Sequence, residues 1–392
     1  MLEALERDLP REAGQFAYLG TDDGYPTYRN TGLSYYALGE EGFPHMLADV
    51  ERAERFVFLE YFIIERGRMW DSLHEALARK AAQGVDVRVI YDDIGSVYTL
   101  PGSYARELER EGIKCVSFNR LHPLVNVFVN HRDHRKIMVV DGVVSYTGGV
   151  NLADEYVNLR NKFGHWKDNV LRVEGEAVWS HTVMFLTTWN ALRHEDDDLE
   201  QFRTSALTGE PDGFICPYAE TPLTSEMVGQ DVYLNIINQA TRYCYIMTPY
   251  LIIDTDMQNA LILAAKRGVD VRIITPHIPD KKTVFLMTRS NYRPLVADGV
   301  KIYEYTPGFI HAKNFLADDC LAVCGSINLD YRSLVHHFEC GVWMYGTDCI
   351  RDMRRDFLDT VAVSQEITEE TAVLRGLPRL GAEILKVLTP LM

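Results

Sequence analysis

The sequence predicts an α/β fold built from two tandem domains of the same architecture. Three observations support this prediction. Apolar runs typical of strands alternate with segments of helical periodicity. The segment Gly-Val-Asp-Val-Arg occurs at residues 84–88 and again at residues 268–272, and a longer motif of His, Lys, Asp and Asn is also present twice. With 392 residues, the chain is long enough for two domains with full hydrophobic cores.

The first half contains a strand, a helix and a second strand in succession. Residues 56–64 have the pattern of a buried strand, residues 70–83 that of a helix ending at Gly84, and residues 85–91 that of the next strand. A helical connection of this length joins parallel strands, so part of the sheet is expected to be parallel. Residues 1–40 are polar with interspersed Gly, Pro and Tyr, and we expect an irregular lead-in there.

The second half repeats this succession. Its strand, helix and strand are predicted at residues 244–253, 257–267 and 269–274. Residues 194–213 are first acidic and then rich in Thr, Gly and Pro, which is typical of a solvated linker. We therefore place the boundary near residue 205, with one domain at residues 1–205 and the other at residues 206–392.

The repeated motif holds four residue types at fixed spacing. In both copies Lys follows His by two positions, Asp by seven and Asn by seventeen, and two small residues lie shortly before the Asn. The first copy comprises His134, Lys136, Asp141, Gly148, Gly149 and Asn151, and the second comprises His311, Lys313, Asp318, Gly325, Ser326 and Asn328. A short motif often matches by chance, but two matches of equal spacing in one chain rarely do.

The motif begins on a strand. The pair Asp141 and Gly142 lies between two apolar runs and predicts the tight turn of a β-hairpin. Residues two positions apart on a strand share a face, so His134 and Lys136 are expected to point together. For Asp141 and its counterpart Asp318, which lie at the turns, we weigh a structural role above direct chemistry.

The motif residues suit one class of ligand, a phosphodiester. The small residues at 148–149 and 325–326 let a phosphate approach the backbone, and Asn151 and Asn328 offer amide hydrogens to an oxyanion. If the halves meet at a pseudo-twofold axis, the two Lys stabilise the negative charge on the phosphoryl oxygens. One His can attack phosphorus while the other acts as acid and then base. The alternative, two unrelated surface hairpins, does not explain the equal spacing.

Composition excludes several other classes of protein. The net charge of −16 disfavours sequence-independent binding of nucleic acid, and seven scattered Cys favour a reducing compartment over a disulfide framework. No apolar run is long enough for a membrane-spanning helix. We also expect no metal and no cofactor, because Lys and Asn already supply donors to the phosphate and no carboxylate cluster accompanies the motifs.

The paired motif resembles that of the phospholipase D superfamily. Its neighbouring segments resemble more narrowly the bacterial cardiolipin synthases, from about residue 32 to the end. These segments are residues 91–96, 148–156, 248–250 and 328–333. The resemblance implies transfer of a phosphatidyl group from one phosphatidylglycerol to another, which gives cardiolipin and glycerol through a phosphatidyl-histidine and without a metal. It also implies that His134 is the nucleophile and His311 the acid and base.

Other readings of the same motif stay open. Phospholipid hydrolysis, phosphatidylserine synthesis or another phosphodiester transfer would use the same residues, and a non-catalytic lipid-binding protein is a further alternative. The resemblance has two departures. Such synthases usually carry two N-terminal membrane helices, which are absent here, so we expect a peripheral or truncated form on the cytoplasmic face of the membrane. The sequence also has His337 where Asn is usual before Phe and Glu.

Two acidic residues are predicted to support the imidazoles. A catalytic His commonly has its remote nitrogen held by a carboxylate, and relatives place an acid about thirty positions after the motif His. Asp168 lies 34 positions after His134, and Glu339 lies 28 positions after His311. The alternative is that both are ordinary surface acids. Near the C-terminus, residues 377–392 have helical spacing, with packing on the domain favoured over membrane contact.

Overall fold

A computed structural model describes residues 10–21, 24–120, 130–204 and 212–386. The α-helices in this part of the chain are α1 Pro10–Thr21, α2 Gly39–Arg52, α3 Arg68–Ala82, α4 Asp93–Ser96, α5 Tyr104–Arg110, α6 Val178–Arg193, α7 Val228–Gln239, α8 Thr255–Lys266, α9 Lys282–Ser290, α10 Tyr292–Ala297, α11 Tyr331–Val335, α12 Cys349–Ala362 and α13 Gly376–Lys386. Short 3₁₀ helices occupy Asp154–Val157 and Leu199–Phe202.

The strands form two large sheets and two small ones. In the first half they are β1 Thr31–Tyr36, β2 Phe56–Tyr61, β3 Asp86–Asp92, β4 Lys114–Phe118, β5 Lys136–Val140, β6 Val144–Gly148, β7 His165–Lys167 and β8 Val170–Gly175. In the second half they are β9 Phe214–Glu220, β10 Tyr243–Met247, β11 Leu251–Ile252, β12 Asp270–Pro276, β13 Lys301–Tyr305, β14 Gly308–Ile310, β15 Asn314–Ala317, β16 Leu321–Gly325, β17 Leu329–Asp330, β18 Glu339–Tyr345 and β19 Ser364–Ile367.

The two large sheets have the same strand order. The first runs β1-β8-β6-β5-β2-β3-β4, and the second runs β9-β18-β16-β15-β10-β12-β13 with β19 added at the end. In each sheet three neighbouring strands are parallel and the others antiparallel. The α/β fold, its mixed sheets and its internal repeat are therefore confirmed. The predicted strands and helices in both halves are present with ends that shift by a few residues, except that the single strand predicted at residues 244–253 is divided into β10 and β11, which belong to different sheets.

The lead-in is more regular than predicted, so the prediction of an irregular segment is wrong there. Helix α1 packs on the second half, where the ring of Phe16 stacks on Trp343 with 4.1 Å between centroids. Strand β1 pairs with β8 of the first sheet. Both elements lie in short segments with interspersed Gly and Tyr, which have no clear helix or strand pattern. The residues that α1 and β1 contact lie far away in the sequence. The domain boundary near residue 205 falls at residues outside those described.

The two halves are joined by pairing of their backbones beside the repeated motifs. Strand β7 of the first half runs parallel to β14 of the second, with Trp166 opposite Phe309. An isolated parallel bridge links Asp133 to Phe338 at the related position. The backbones of the two halves therefore pair at both places where a motif begins.

The last helix packs on the second half through small residues, in agreement with the favoured packing on the domain. In α13, Ala382 is buried and Gly381 approaches Leu286, whereas Leu380 and Ile384 are each 60% exposed. Packing on the domain therefore leaves two of the apolar residues of the helical pattern exposed. No helix among the described residues combines the length and the apolar character needed to cross a bilayer.

Candidate active site

Each motif starts just before a buried hairpin strand. Lys136 is the first residue of β5, which pairs with β6, and β15 and β16 form the equivalent hairpin. The turn residues Asp141 and Gly142 have φ angles of 54° and 68°, the left-handed region that a tight turn of this kind requires. The predicted hairpin is therefore present in both halves.

The motif aspartates anchor the neighbouring strands. Asp141 accepts hydrogen bonds from the backbone N–H groups of Glu54, Arg55 and Phe56, at 2.8 Å each. Asp318 accepts in the same way from the backbone of residues 241–243 and from the hydroxyl of Thr241. Neither aspartate lines the cavity described below. For both aspartates this geometry favours the structural role over direct participation in the chemistry.

The backbone of each motif histidine is held by the opposite half of the chain. The N–H of His134 donates to the carbonyl of Phe338 at 2.8 Å, and the N–H of His311 donates to the carbonyl of Lys167 at 2.7 Å. These bonds belong to the inter-half pairing at β7, β14 and the Asp133 bridge. Because each histidine precedes its strand, the bond fixes a residue that the hairpin alone would leave free.

The side chains repeat this exchange between halves. Nδ1 of His134 lies 2.9 Å and 3.0 Å from the two carboxylate oxygens of Glu339, and Nδ1 of His311 lies 2.6 Å from Asp168 Oδ2. Asp168 and Glu339 are both fully buried. Each carboxylate thus contacts the imidazole of the other motif, whereas the sequence spacing had linked each acid to the histidine of its own half.

Burial sets the charge of these groups. It lowers the pKa of His134 well below its usual value, although Glu339 acts in the opposite direction. Burial, together with nearby Lys313, lowers the pKa of His311 to about 4. Although burial alone would raise the pKa of both carboxyls, their histidine partners hold the pKa of Asp168 and of Glu339 below the usual range. Near neutral pH the site therefore has neutral imidazoles whose Nδ1–H donates to carboxylate anions, which leaves Nε2 as an acceptor.

The two motif lysines are almost completely buried, at 1% exposure each. Burial lowers the pKa of Lys136 to about 8. Burial lowers that of Lys313 to about 7, helped by the charge of Lys136. Nζ of Lys136 donates to the carbonyl of His134 at 2.5 Å, and Nζ of Lys313 donates to the carbonyl of His311. Nζ of Lys313 also lies 2.8 Å from His311 Nδ1, but the shorter contact with Asp168 is the one that orients the ring. The lysines of the two halves are therefore close enough to repel each other.

The small residues at 148–149 and 325–326 make room for protein groups. This corrects the prediction that they let a phosphate approach the backbone. A Cβ on Gly149 would lie 1.9 Å from Asp168 Oδ1, and a Cβ on Gly148 would lie 2.4 Å from a backbone carbonyl. Gly325 meets a carbonyl at 2.3 Å in the same way. Ser326 donates its hydroxyl to Glu339 Oε2 at 2.5 Å. Their small size thus admits the carboxylates and the opposing strands to the back of the imidazoles.

The motif asparagines line the site but are partly committed to protein. Asn151 accepts from the backbone N–H of Ile63 and donates to the hydroxyl of Tyr156 at 2.9 Å. Asn328 donates to Ser333 at 3.1 Å, and its Oδ1 has no hydrogen-bond partner among the described residues. Each amide therefore has one hydrogen that is still available to a ligand.

A cavity of about 600 Å³ lies between the two halves, and the two buried motif lysines are not among the residues that line it. Both motif histidines and both motif asparagines line it, with aromatic and charged side chains around them. The aromatic residues are Phe62, Tyr156, Phe163, Trp166 and Tyr250, and the charged ones are Arg132, Glu155, Lys162, Asp280, Lys281, Asp330 and Arg332. A second cavity of about 580 Å³ is lined by Arg135 but by neither histidine and neither asparagine of the motifs, so we assign the candidate site to the first.

Sequence reasoning missed two ring side chains in this cavity. Trp166 precedes Asp168 by two positions and His337 precedes Glu339 by two positions, and both line the cavity. His337 was noted as a departure from the usual Asn, but no role was predicted for it. The equal offset from the two carboxylates was the signal that could have identified the pair.

One group of described residues has the spacing of a metal site. Single ligand atoms of His134, His337 and Glu339 lie within 4.8 Å of one another. The bonds between His134 and Glu339 already use two of these ligands, and the ammonium group of Lys136 lies close to both. The cluster is therefore better suited to holding a proton than a divalent cation.

The chain is similar in sequence to known cardiolipin synthases. Residues 46–179 and 233–361 match the family model described as cardiolipin synthase, phospholipase D-like domain. The cardiolipin synthase of Geobacillus kaustophilus is 36% identical over 90% of this chain and 71% of its own length, and cardiolipin synthase 2 of Bacillus anthracis is 36% identical over 90% and 69%. An uncharacterized protein of Streptococcus mutans is 46% identical over 100% of this chain and 85% of its own.

One solved structure has the same fold over nearly the whole chain. It is the phosphatidylserine synthase of Haemophilus influenzae, with a TM-score of 0.73. The match covers 97% of this chain and 100% of that one at 13% sequence identity. At this identity the similarity establishes the architecture of two phospholipase D-like domains and nothing about the substrate.

Proposed function

The chain belongs to the cardiolipin synthase family of phospholipase D-like proteins and is a phosphatidyltransferase; from this premise we propose that it makes cardiolipin. In the proposed reaction one phosphatidylglycerol donates its phosphatidyl group to a headgroup hydroxyl of a second phosphatidylglycerol. The products are cardiolipin and glycerol. One observation carries the proposal: two buried imidazoles line the same cavity, and each is hydrogen-bonded to a carboxylate anion.

We propose that the first step forms a phosphatidyl-histidine. Nε2 of His134 attacks phosphorus, and the bond from phosphorus to the glycerol oxygen breaks. His311 gives a proton to the leaving oxygen. The low pKa of His311 suits this step only once substrate is bound, because the anionic phosphate next to the ring favours its protonated form. Glu339 holds Nδ1–H of the attacking imidazole so that the lone pair of Nε2 faces the substrate.

In the second step the phosphatidyl group moves from His134 to the acceptor hydroxyl. Neutral His311 takes the proton of the incoming glycerol hydroxyl, the hydroxyl oxygen attacks phosphorus, and the bond to His134 breaks. Lys136, Lys313, Asn151 and Asn328 supply positive charge and donors close to the phosphoryl oxygens, which become more negative in both transition states. All catalytic groups in this scheme come from the chain itself.

We further propose that the protein works as a peripheral protein on the cytoplasmic face of the membrane. Leu380 and Ile384 form an exposed apolar pair on one face of α13, as expected for a helix that contacts lipid. No disulfide joins the seven cysteines, all of which lie in the described part of the chain, and this fits a reducing compartment. Co-sedimentation with phosphatidylglycerol vesicles tests this: Leu380→Glu should weaken binding, whereas Leu263→Glu, a similarly exposed leucine on α8, should not. Equal binding by all three proteins would contradict the proposal.

Mass spectrometry of lipid products tests the activity. The protein is incubated with phosphatidylglycerol vesicles, and cardiolipin and glycerol should appear in equal amounts. His134→Ala and His311→Ala serve as matched inactive controls, each expected to lose roughly 10²-fold or more of the turnover. Phosphatidic acid in place of cardiolipin would indicate phospholipid hydrolysis, and unchanged lipid would refute a transferase acting on this substrate.

A further inference from the structure

Two ring side chains occupy equivalent positions in the two halves of the cavity. Trp166 belongs to β7, and His337 precedes β18 by two positions; each lies next to the inter-half backbone pairing. The ring of Trp166 is centred 5.5 Å from that of His311, and the ring of His337 is centred 5.5 Å from that of His134. The pseudo-twofold relation therefore extends beyond the motif to one more residue from each half.

Both rings carry buried nitrogen atoms without partners. Nε1 of Trp166 and both ring nitrogens of His337 make no hydrogen bond with the described residues. The nearest carboxylate oxygen to His337, on Glu339, lies 3.6 Å from Nδ1, which is too long for a hydrogen bond. The two residues, Trp166 and His337, are only 5% and 7% exposed. Because native proteins rarely leave buried donors unpaired, a missing partner is expected in the cavity that both residues line.

The chemistry of the rings identifies that partner as an acceptor. An indole N–H can only donate, and an imidazole always has at least one N–H to donate. The motif lysines are donors as well and cannot accept a hydrogen bond from the N–H group of either ring. In a phosphodiester bound between the two imidazoles, the non-bridging oxygens are anionic and only accept. One N–H from each side of such a phosphate would match them.

We propose that Trp166 and His337 donate hydrogen bonds to the non-bridging oxygens of the phosphodiester held between His134 and His311. This inference rests on the proposed function, which supplies the phosphodiester, and it adds one substrate contact from each half to the motif residues. The non-bridging oxygens gain negative charge as the nucleophile approaches phosphorus. Donors aimed at them therefore stabilise the transition state more than the ground state.

The test combines three variants with two readouts. Trp166→Phe and His337→Phe remove the donors but keep an aromatic ring, and Trp343→Phe is the matched control. Trp343 also has a buried Nε1 without a partner, yet it packs on α1 and does not line the cavity. The readouts are the Kd for inorganic phosphate by titration calorimetry, and kcat with two donor lipids, phosphatidylglycerol and phosphatidylpropanol.

The two cavity variants should bind inorganic phosphate about tenfold more weakly or worse. They should also lose about 10²-fold in kcat on both lipids, because the donors contact the phosphate that the lipids share. The control variant should match the unmodified protein in both measurements. Unchanged phosphate binding in the cavity variants would overturn the proposal. A loss confined to phosphatidylglycerol would also overturn it, because the rings would then contact the headgroup.

The outcomes separate this inference from the proposed function. If the unmodified protein transfers phosphatidyl groups and the two cavity variants keep full kcat, the inference fails and the function stands. In another outcome the unmodified protein binds phosphate and the variants weaken that binding, but no phosphatidyl group is transferred. The two rings would then be confirmed as phosphate donors, and the proposed function would be refuted. A large loss in Trp343→Phe would contradict the inference, since removal of any buried indole N–H would then act through the fold.

Discussion

Replacing Glu339 by Gln should reproduce the defect of a His134 variant, and replacing Asp168 by Asn should reproduce that of a His311 variant. This prediction follows from the exchanged contacts, in which each carboxylate holds Nδ1 of the imidazole from the other half. Pairing by sequence order would give the opposite result. The experiment therefore tests the assembly of the site as well as the importance of its residues.

The magnitude follows from the surroundings of Glu339. Its Oε2 accepts the hydroxyl of Ser326 at 2.5 Å, so the oxygen of a Gln would stay with Ser326 and its NH₂ group would face His134. Two donors cannot face each other, so the imidazole would move its proton from Nδ1 to Nε2 and could no longer attack. In a Ser-His-Asp triad the same change of tautomer costs roughly 10⁴ in kcat. We expect a similar loss here, equivalent to about 5 kcal/mol at about 1.4 kcal/mol per factor of ten.

The assay uses a phosphatidyl ester of a phenol, whose leaving group needs little protonation. If His134 attacks, His311→Ala and Asp168→Asn should each release one equivalent of phenol in a burst and then stall. His134→Ala and Glu339→Gln should show no burst. If the nucleophile is His311, the two pairs of variants exchange phenotypes but remain pairs. A Glu339→Gln protein that behaves like His311→Ala would refute the reasoning.

Activity should fall as the pH rises through about 7, because Lys313, whose pKa burial lowers to about 7, then loses its charge; Lys313→Arg should move this limb of the kcat/KM profile upward, and an unmoved limb would assign it to another group. Asp141→Asn should lower the free energy of unfolding by about 1–3 kcal/mol, measured in urea, because charge-assisted bonds to three backbone N–H groups weaken; lost turnover with full stability would speak for a chemical role. Gly149→Ala should reduce kcat by roughly 10²-fold, because its Cβ would displace Asp168 by colliding with Oδ1, whereas Gly32→Ala, with open space around its Cβ, should be neutral. Excess chelator should leave turnover unchanged, and inactivation reversed by magnesium or zinc would contradict the metal-free scheme.

Local patterns were sufficient to predict much of the fold. The turn at Asp141 and the strand that follows Gly84 depend on short-range chemistry, and both are present in the structure. Helix α1 was missed because its stability depends on contacts with residues such as Trp343, which no local pattern reveals. The repeat of the motif predicted a shared site, but the repeat has the same spacing in both halves. The spacing therefore contains no information about which of the two carboxylates contacts which imidazole.

The small residues illustrate a second limit. Gly149 was interpreted from its lack of a side chain, which indicates only that something must come close. In the structure that neighbour is Asp168, a protein carboxylate from the same half, and the sequence gives no means of distinguishing it from a phosphate. Trp166 and His337 were missed for the opposite reason, since a ring beside an acidic residue is a common pattern with many structural explanations.

The exchanged contacts make the chain equivalent to a twofold dimer whose subunits have been fused. In a dimer of separate subunits each site would form only on association, so activity would depend on concentration. Here the covalent connection removes that dependence. Fusion also allows the two copies to differ in sequence, because a mutation in one half no longer appears in the other. Trp166 opposite His337 is a difference of this kind, and a phosphate bound between them meets an indole on one side and a titratable ring on the other. An enzyme that must treat a departing and an arriving alcohol differently can use such an asymmetry.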